Sequence, residues 1–306
     1  MANAPIAVFI FKRPAHTRRA LESLAQNPEF IDSLLFIYCD GGRNAAESAE
    51  VAETRELVRD WPHPNKTIVE RDRNWGLANS VIEGVGELCK RFGRVIVVED
   101  DLVVSPVFLN YLNTALERYA DEPKVMQVSG YMFPIGEGNA NEAVMLPITS
   151  TWGWATWDRA WKNFGVTEND IIKLLTDATR KRAFDLDGSY PYIRRLKKQL
   201  RGKTDSWGIQ WYLSVFKLDG MVVYPPVTLV QNIGHDGSGT HCKVEAMQEN
   251  IAIFSNSENI AFPKYIFISS DCFKKVKKYL RNENRIIFRG WAWLRTEIKN
   301  KLNKLI

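Results

Sequence analysis

Three short apolar runs constrain this chain most: Ile6–Phe11 (IAVFIF), Leu34–Tyr38 (LLFIY) and Val95–Val98 (VIVV). Each is the length of a strand. Each is continuous rather than alternating, as strands buried on both faces are. Helix-length amphipathic stretches lie between them. Ala15–Gln26 turns Ala20, Leu21 and Leu24 inward, and Gly76–Phe92 spaces Leu77, Val81, Val85, Leu88 and Phe92 by three or four. Thr67–Glu70 and Val125–Ser129 read as further strands. Ser105-Pro106 reads as a helix start, with Ser as N-cap, Pro in the first turn and one apolar face from Phe108 to Tyr119. Strands separated by helices predict right-handed βαβ units and an α/β fold with a mostly parallel central sheet flanked by helices. In such sheets ligands gather beyond the carboxyl ends of the strands. The loops after Phe11, Tyr38 and Val98 are therefore where chemistry is expected.

Composition narrows the function classes. The 306 residues are 45% hydrophobic and 25% charged, which excludes disordered and fibrous chains. The net charge of +5 is too mild to call for nucleic acid. Cys39, Cys89, Cys242 and Cys272 lie far apart with no CxxC, against a zinc cluster or disulfide scaffold. With no signal-peptide pattern and no membrane-spanning run, a cytoplasmic protein is expected, at most peripheral to the inner face of a membrane. After Tyr131 the pattern changes: a Trp-dense stretch, a polar helical region over 168–203, a helix over Trp207–Leu218, a strand at Met221–Tyr224, and a Gly-rich loop over 231–242.

Six constellations can carry chemistry. Glu99-Asp100-Asp101 follow a strand at once; their mutual repulsion would be offset by a divalent cation, or they form a solvated acidic turn. Phe11-Lys12-Arg13-Pro14 opens a helix, and Arg13 suits a phosphate, whereas Arg18 reads better as a surface charge. Asp40, ending the second strand, either accepts hydrogen bonds from a nucleoside or starts a turn. Asn74, before Gly76, either caps the next helix or touches ligand. His235, Asp236 and His241 sit in the Gly-rich loop, where an imidazole is a candidate metal ligand or a structural residue. The Trp side chains Trp152, Trp154, Trp157, Trp161, Trp207 and Trp211 are either sugar platforms or core.

In order along the chain, IAVFIFKRP, CDGG, RNWGLANSVIEGV and VIVVEDDLVVSPVFLNYLNTAL resemble nucleotide-sugar-dependent glycosyltransferases of the GT-A fold. The likeness is to the N-acetylglucosaminyltransferase I type and to bacterial family 2-like sugar transferases. TSTWGWATWDRAW, SWGIQWYLSVFKLDG and NIGHDGSGTHC resemble the later blocks of those bacterial proteins, so the likeness spans roughly residues 5–245. The resemblance implies a donor-binding half over 1–130 and an acceptor-binding half over 131–269. It implies that Asp101, with His241 and secondarily His235, binds Mn²⁺ or Mg²⁺. Glu99, Asp100, Phe11, Arg13, Asp40, Asn74 and Gly76 would contact the nucleotide sugar, and Trp152, Trp154 and Trp207 the acceptor. An inverting enzyme also needs a carboxylate base. Gly208 stands about where the family's acid falls, so Asp205 is the expected base and Asp158 the alternative.

The implied activity is transfer of a sugar from a nucleotide donor, UDP by preference, to a glycan or lipid-linked acceptor in bacterial surface polysaccharide synthesis. A nucleotidyltransferase and a non-catalytic sugar-binding protein on a degenerate transferase fold are the competing readings. The charge is also uneven. Residues 270–306 hold 11 Lys and Arg against 3 Asp and Glu, leaving 30 against 33 in residues 1–269. Trp291, Leu294, Ile298, Leu302 and Leu305 share one helical face, which suits either an anionic membrane surface or docking on the body.

Overall fold

The computed structural model describes residues 2–136, 141–236 and 260–284. Its strands are β1 (Ile6–Ile10), β2 (Leu35–Cys39), β3 (Lys66–Glu70), β4 (Arg94–Glu99), β5 (Leu102–Val104), β6 (Val125–Ser129), β7 (Val144–Leu146), β8 (Trp154–Trp157), β9 (Met221–Tyr224) and β10 (Val230–Asn232). Its helices are α1 (Pro14–Ala25), α2 (Ser48–Asp60), α3 (Leu77–Phe92), α4 (Phe108–Arg118), α5 (Asp158–Trp161), α6 (Glu168–Thr176), α7 (Ala178–Phe184), α8 (Tyr192–Leu200) and α9 (Trp207–Phe216). A further helix, α10, covers residues 270–284.

The expected α/β class is borne out. Eight strands form one sheet in the order β3-β2-β1-β4-β8-β6-β9-β7. β3, β2, β1 and β4 pair in parallel, while β8 runs antiparallel to both β4 and β6. β9 is parallel to β6, and β7 is antiparallel to β9. A separate two-stranded ladder joins β5 and β10.

The apolar runs form strands because both their faces are covered. Ile6, Val8 and Ile10 face one core, shared with Leu21 and Leu24 of α1 and with Leu109 and Leu112 of α4. Ala7 and Phe9 face the other, shared with Val81, Val85 and Leu88 of α3. Gly84 allows that close approach of α3: a Cβ there would stand 2.9 Å from the Tyr38 ring. α6 to α8, β7 and α10 close around a third cluster that includes Leu174, Phe184, Leu196, Val276 and Leu280. The part of the expected tail within α10 thus docks on the body. Residues 285–306, with the apolar face from Trp291 to Leu305, lie outside the described residues. No helix among the described residues is long and apolar enough to cross a membrane.

The start of α4 and the orientation of Leu77 differ from expectation. α4 begins at Phe108, with Ser105 and Pro106 in the turn before it; the Ser105 hydroxyl accepts from the Val107 N–H instead of capping the helix. Leu77, placed on the inner face of α3, is 37% exposed because it opens the helix over a cavity.

Candidate active site at the strand ends

Because β1, β2 and β4 are parallel, the residues following them meet at one edge of the sheet. They enclose a cavity of about 340 Å³ lined by Phe9–Arg13, Tyr38, Asp40, Arg43, Asn74, Gly76, Leu77, Ser80, Glu99, Asp100, Asp101, Trp152, Asp205 and Asn232. Two later elements complete it. β8 runs against β4, pairing Trp154 with Val97, so Trp152 just before it reaches the cavity. β10 pairs with β5, Asn232 opposite Leu102, which lays the 233–236 segment beside Asp101. The Ile233 N–H donates to the Asp101 carbonyl at 2.8 Å, and a Cβ on Gly234 would lie 2.4 Å from Asp101 Oδ2, so only glycine lets the chain pass.

The acidic trio is set into the cavity floor. Asp100 is 4% exposed and Asp101 7%. Burial, then the charges of Asp101 and Asp100, hold the Glu99 carboxyl well above its usual value. Burial raises Asp100 as well, against the pull of Arg13. Arg13 fastens the two Asp side chains together. Its Nε donates to Asp100 Oδ2 at 3.2 Å, and its Nη2 donates to Asp100 Oδ1 and, at 3.1 Å, to Asp101 Oδ2. Burial works against the Arg13 charge, and the two carboxylates more than offset it, so the guanidinium is raised still higher.

Among the described residues, Arg13 Nη1 and Asp101 Oδ1 at the cavity are buried without a partner, as are both ring nitrogens of His235, whose ring stands 5.9 Å from that of Trp152. Buried polar atoms are ordinarily satisfied, so such a group of orphans bears on a ligand. A carboxylate oxygen and an imidazole nitrogen are both metal ligands, and a small hard cation is commonly held by one or two protein groups with substrate phosphates completing its shell. The residues present fit a divalent cation of that kind. Among the described residues no group of three or more His, Cys, Asp and Glu forms a full metal cage. His241, the first-choice histidine, lies outside the described residues.

Asp40 is engaged differently. Its carboxylate accepts from the N–H groups of Gly41 at 2.9 Å, Trp75 at 2.7 Å and Gly76 at 3.0 Å, and from Asn74 Nδ2 at 3.0 Å. The turn reading is the one observed: Asp40 ties the end of β2 to the start of α3, where N–H groups lack helical partners. Asn74 does not cap α3. It bridges Asp40 and the Gly41 carbonyl, and Gly76 takes the N-cap position at φ 78°. Both residues line the cavity, but their side chains are committed to each other and to the chain's own backbone.

Three further expectations are corrected. Trp154 is fully buried and stacks on Trp207 at 5.1 Å, within a cluster containing Trp161 and Trp211; neither Trp154 nor Trp207 lines the cavity, so they are core, not acceptor platforms. Asp158 sits at the opposite end of the sheet from Glu99, because antiparallel β8 pairs Trp157 with Arg94; its carboxylate meets Lys162 at 2.5 Å. It is not positioned as a base. Asp205, in contrast, lines the cavity just before α9, its Oδ2 3.1 Å from where a Gly76 Cβ would be.

Some lining residues escaped the sequence reading: Tyr38, Arg43, Ser80 and Asn232. Arg43 and Lys12 both bind Glu47, which they hold down to about 2, Arg43 contributing most. The two cations flank the Phe11 ring at 5.3 and 5.8 Å. Lys12 takes a left-handed φ of 33°, a strained conformation of the kind that gathers at ligand sites. The signal for Arg43 was present: it ends the CDGG turn and stands four residues before Glu47. His16 Nε2 meets Asp236 Oδ2 at 3.1 Å, joining α1 to the 233–236 segment, and Arg18 is exposed outside the cavity.

No protein-family model matches the sequence, and no curated protein does. Among solved structures, similar ones include the mannosyltransferase PcManGT of Pyrobaculum calidifontis, in complex with GDP-Man and Mn²⁺. It shares 16% identity over 50% of this chain and 44% of its own, with a TM-score of 0.36. GalNAc-T7, with UDP, GalNAc and Mn²⁺, shares 8% identity over 75% of this chain and 43% of its own, with a TM-score of 0.45. The chain thus spans less than half the length of either protein. Likenesses this remote carry no functional conclusion.

Proposed function

We propose that the chain is a GT-A-type, metal-dependent glycosyltransferase that moves a sugar from a nucleotide sugar, UDP-linked by preference, to a glycan or lipid-linked hydroxyl with inversion. The observation that carries this reading is the Asp101 oxygen and Arg13 nitrogen that have no partner among the described residues, in a cavity that also admits the Asp205 carboxylate. Asp101 and His235, with His241 as a further candidate, would hold Mn²⁺ or Mg²⁺. When bound, the ion supplies charge neutralisation to a departing diphosphate.

The chain's own residues do the rest. Arg13 Nη1, buried and without a partner, is a donor for phosphate oxygen. The Phe11 ring and Arg43 offer a face and an edge to the nucleoside, and Glu99 to sugar hydroxyls. Asp40 acts through Asn74, Trp75 and Gly76 by fixing the wall. Trp152 is the one Trp of the three expected platforms that reaches the cavity. Asp205 takes the proton of the acceptor hydroxyl as that oxygen bonds to the anomeric carbon; the bond from that carbon to the diphosphate breaks, and its electrons leave with the nucleotide. We place the enzyme in the cytoplasm, acting in bacterial surface polysaccharide synthesis. The exposed Lys274, Lys275 and Lys278 of α10 would turn toward an anionic inner membrane face.

A second reading has one observation in its favour. Arg13 already pairs with both Asp100 and Asp101, so the trio can persist with no metal, as in a sugar-binding protein without turnover. A thermal-shift panel of UDP-, GDP- and dTDP-sugars, with and without Mn²⁺, followed by donor hydrolysis, separates the two. The transferase reading expects Mn²⁺-dependent stabilisation and slow release of free sugar, both lost in Asp101→Ala. Binding indifferent to Mn²⁺ with no hydrolysis establishes the second reading.

A further inference from the structure

The body outside α10 is slightly acidic on average, yet one of its helices is not. Residues 194–203 contain six Lys and Arg and no Asp or Glu. Arg194, Arg195, Lys197, Lys198, Arg201 and Lys203 are all exposed. The helical period explains why: Leu196 is buried in the third cluster, with Tyr192 and Ile193 packed against it, so the cations turn outward. Among the described residues, Lys197, Lys198, Arg201 and Lys203 enter no ion pair, whereas Lys277 and Lys162 each meet an Asp. Like charges this close repel, and a polyanion offsets the repulsion.

The basic face is also joined to the cavity. Gln199 of α8 accepts from the Ser206 N–H at 2.7 Å and from the Thr204 hydroxyl at 3.3 Å. These bonds fasten the 201–206 loop to the helix, and Asp205 in that loop lines the cavity. The cations therefore lead to the residue that faces the acceptor.

We propose that α8 and the following loop are a docking surface for a polyanionic acceptor, a saccharide chain bearing carboxylate or phosphate groups. The charged units lie along 194–203 while the terminal hydroxyl reaches Asp205. This assignment rests on the transferase reading. A saccharide fits better than a bilayer because α8 has no apolar face to insert: Leu196 is buried and only Leu200, 46% exposed, stands among the cations. Helices that lie in a membrane interface turn an apolar stripe outward.

The test uses the full chain and a fluorescent oligogalacturonate probe, with vesicles of mixed phosphatidylglycerol and phosphatidylcholine in parallel. The variant Lys197→Gln/Lys198→Gln/Arg201→Gln is compared with Lys274→Gln/Lys275→Gln/Lys278→Gln on α10. Wild type and the α10 variant should bind the saccharide with an affinity that falls as salt rises. The α8 variant should bind it at least about tenfold more weakly, with UDP–Mn²⁺ stabilisation unchanged. Equal saccharide binding by the α8 variant and wild type, or no binding by wild type, overturns the proposal. Vesicle binding that alone depends on the α8 cations assigns the surface to lipid and overturns it too. Failure of wild type to bind UDP strikes the transferase reading, while the saccharide measurement still decides the docking surface, so the two fail separately.

Discussion

Two acidic turns follow parallel strands in this molecule, and they differ in what their carboxylates touch. Asp40, after β2, accepts four hydrogen bonds from its own chain. Asp101, after β4, shares Arg13 and keeps one buried oxygen without a partner. The first turn is fully paired within the chain, whereas the second, among the described residues, leaves a carboxylate oxygen unpaired. A strand-end acid is thus not a site by virtue of its place; it becomes one when the surrounding backbone leaves it something to bind.

Five substitutions test that contrast and the parallel division of the tryptophans, the largest effect first. Asp101→Asn should cut transferase turnover by about a thousandfold while the urea midpoint stays near wild type; a variant that unfolds instead would make the β4 turn structural as well. Trp154→Ala should cost about 3–5 kcal/mol of stability in denaturant titrations, as truncated buried aromatics do. Trp152→Ala should leave stability nearly intact and raise the acceptor KM; similar stability losses in both would erase the division between core and cavity Trp. Asp40→Ala should cost about 2–3 kcal/mol by leaving the buried Gly41 N–H and the half-buried Trp75 and Gly76 N–H groups unpaired, with Mn²⁺ affinity in the folded protein little changed. Asp158→Asn should change stability by less than about 0.5 kcal/mol and leave turnover alone; a large loss of turnover there would return that residue to the candidate bases.

Much of the donor side was legible in the sequence because it depends on local signals. IAVFIF, LLFIY and VIVV form β1, β2 and β4 within a residue or two, and of the acidic trio Glu99 ends β4 while Asp100 and Asp101 follow it. The second half was less legible. β8 is only WATW, and its bulky aromatic pattern does not distinguish a strand from a sugar platform. Its reversed direction, invisible in the residues, carries Asp158 away from the cavity and Trp152 toward it. Asp40 could not be read either: three of its four partners come from residues 74–76, across an intervening helix and strand. Short β5 and β10 give almost no periodicity, yet their pairing is what brings Ile233 and Gly234 to Asp101.

The segregation of the tryptophans has an optical consequence. Among Trp154, Trp161, Trp207 and Trp211, five ring pairs have centroids 4.9 to 6.5 Å apart. Rings that close exchange excitation, so their near-ultraviolet circular dichroism reports the integrity of the core. Trp152 stands apart from them, 5.9 Å from the His235 ring at the cavity. Its emission is therefore a resident gauge of the site. Manganese titrated into wild type should quench a component that Trp152→Phe lacks, with the dichroism of the buried four unchanged.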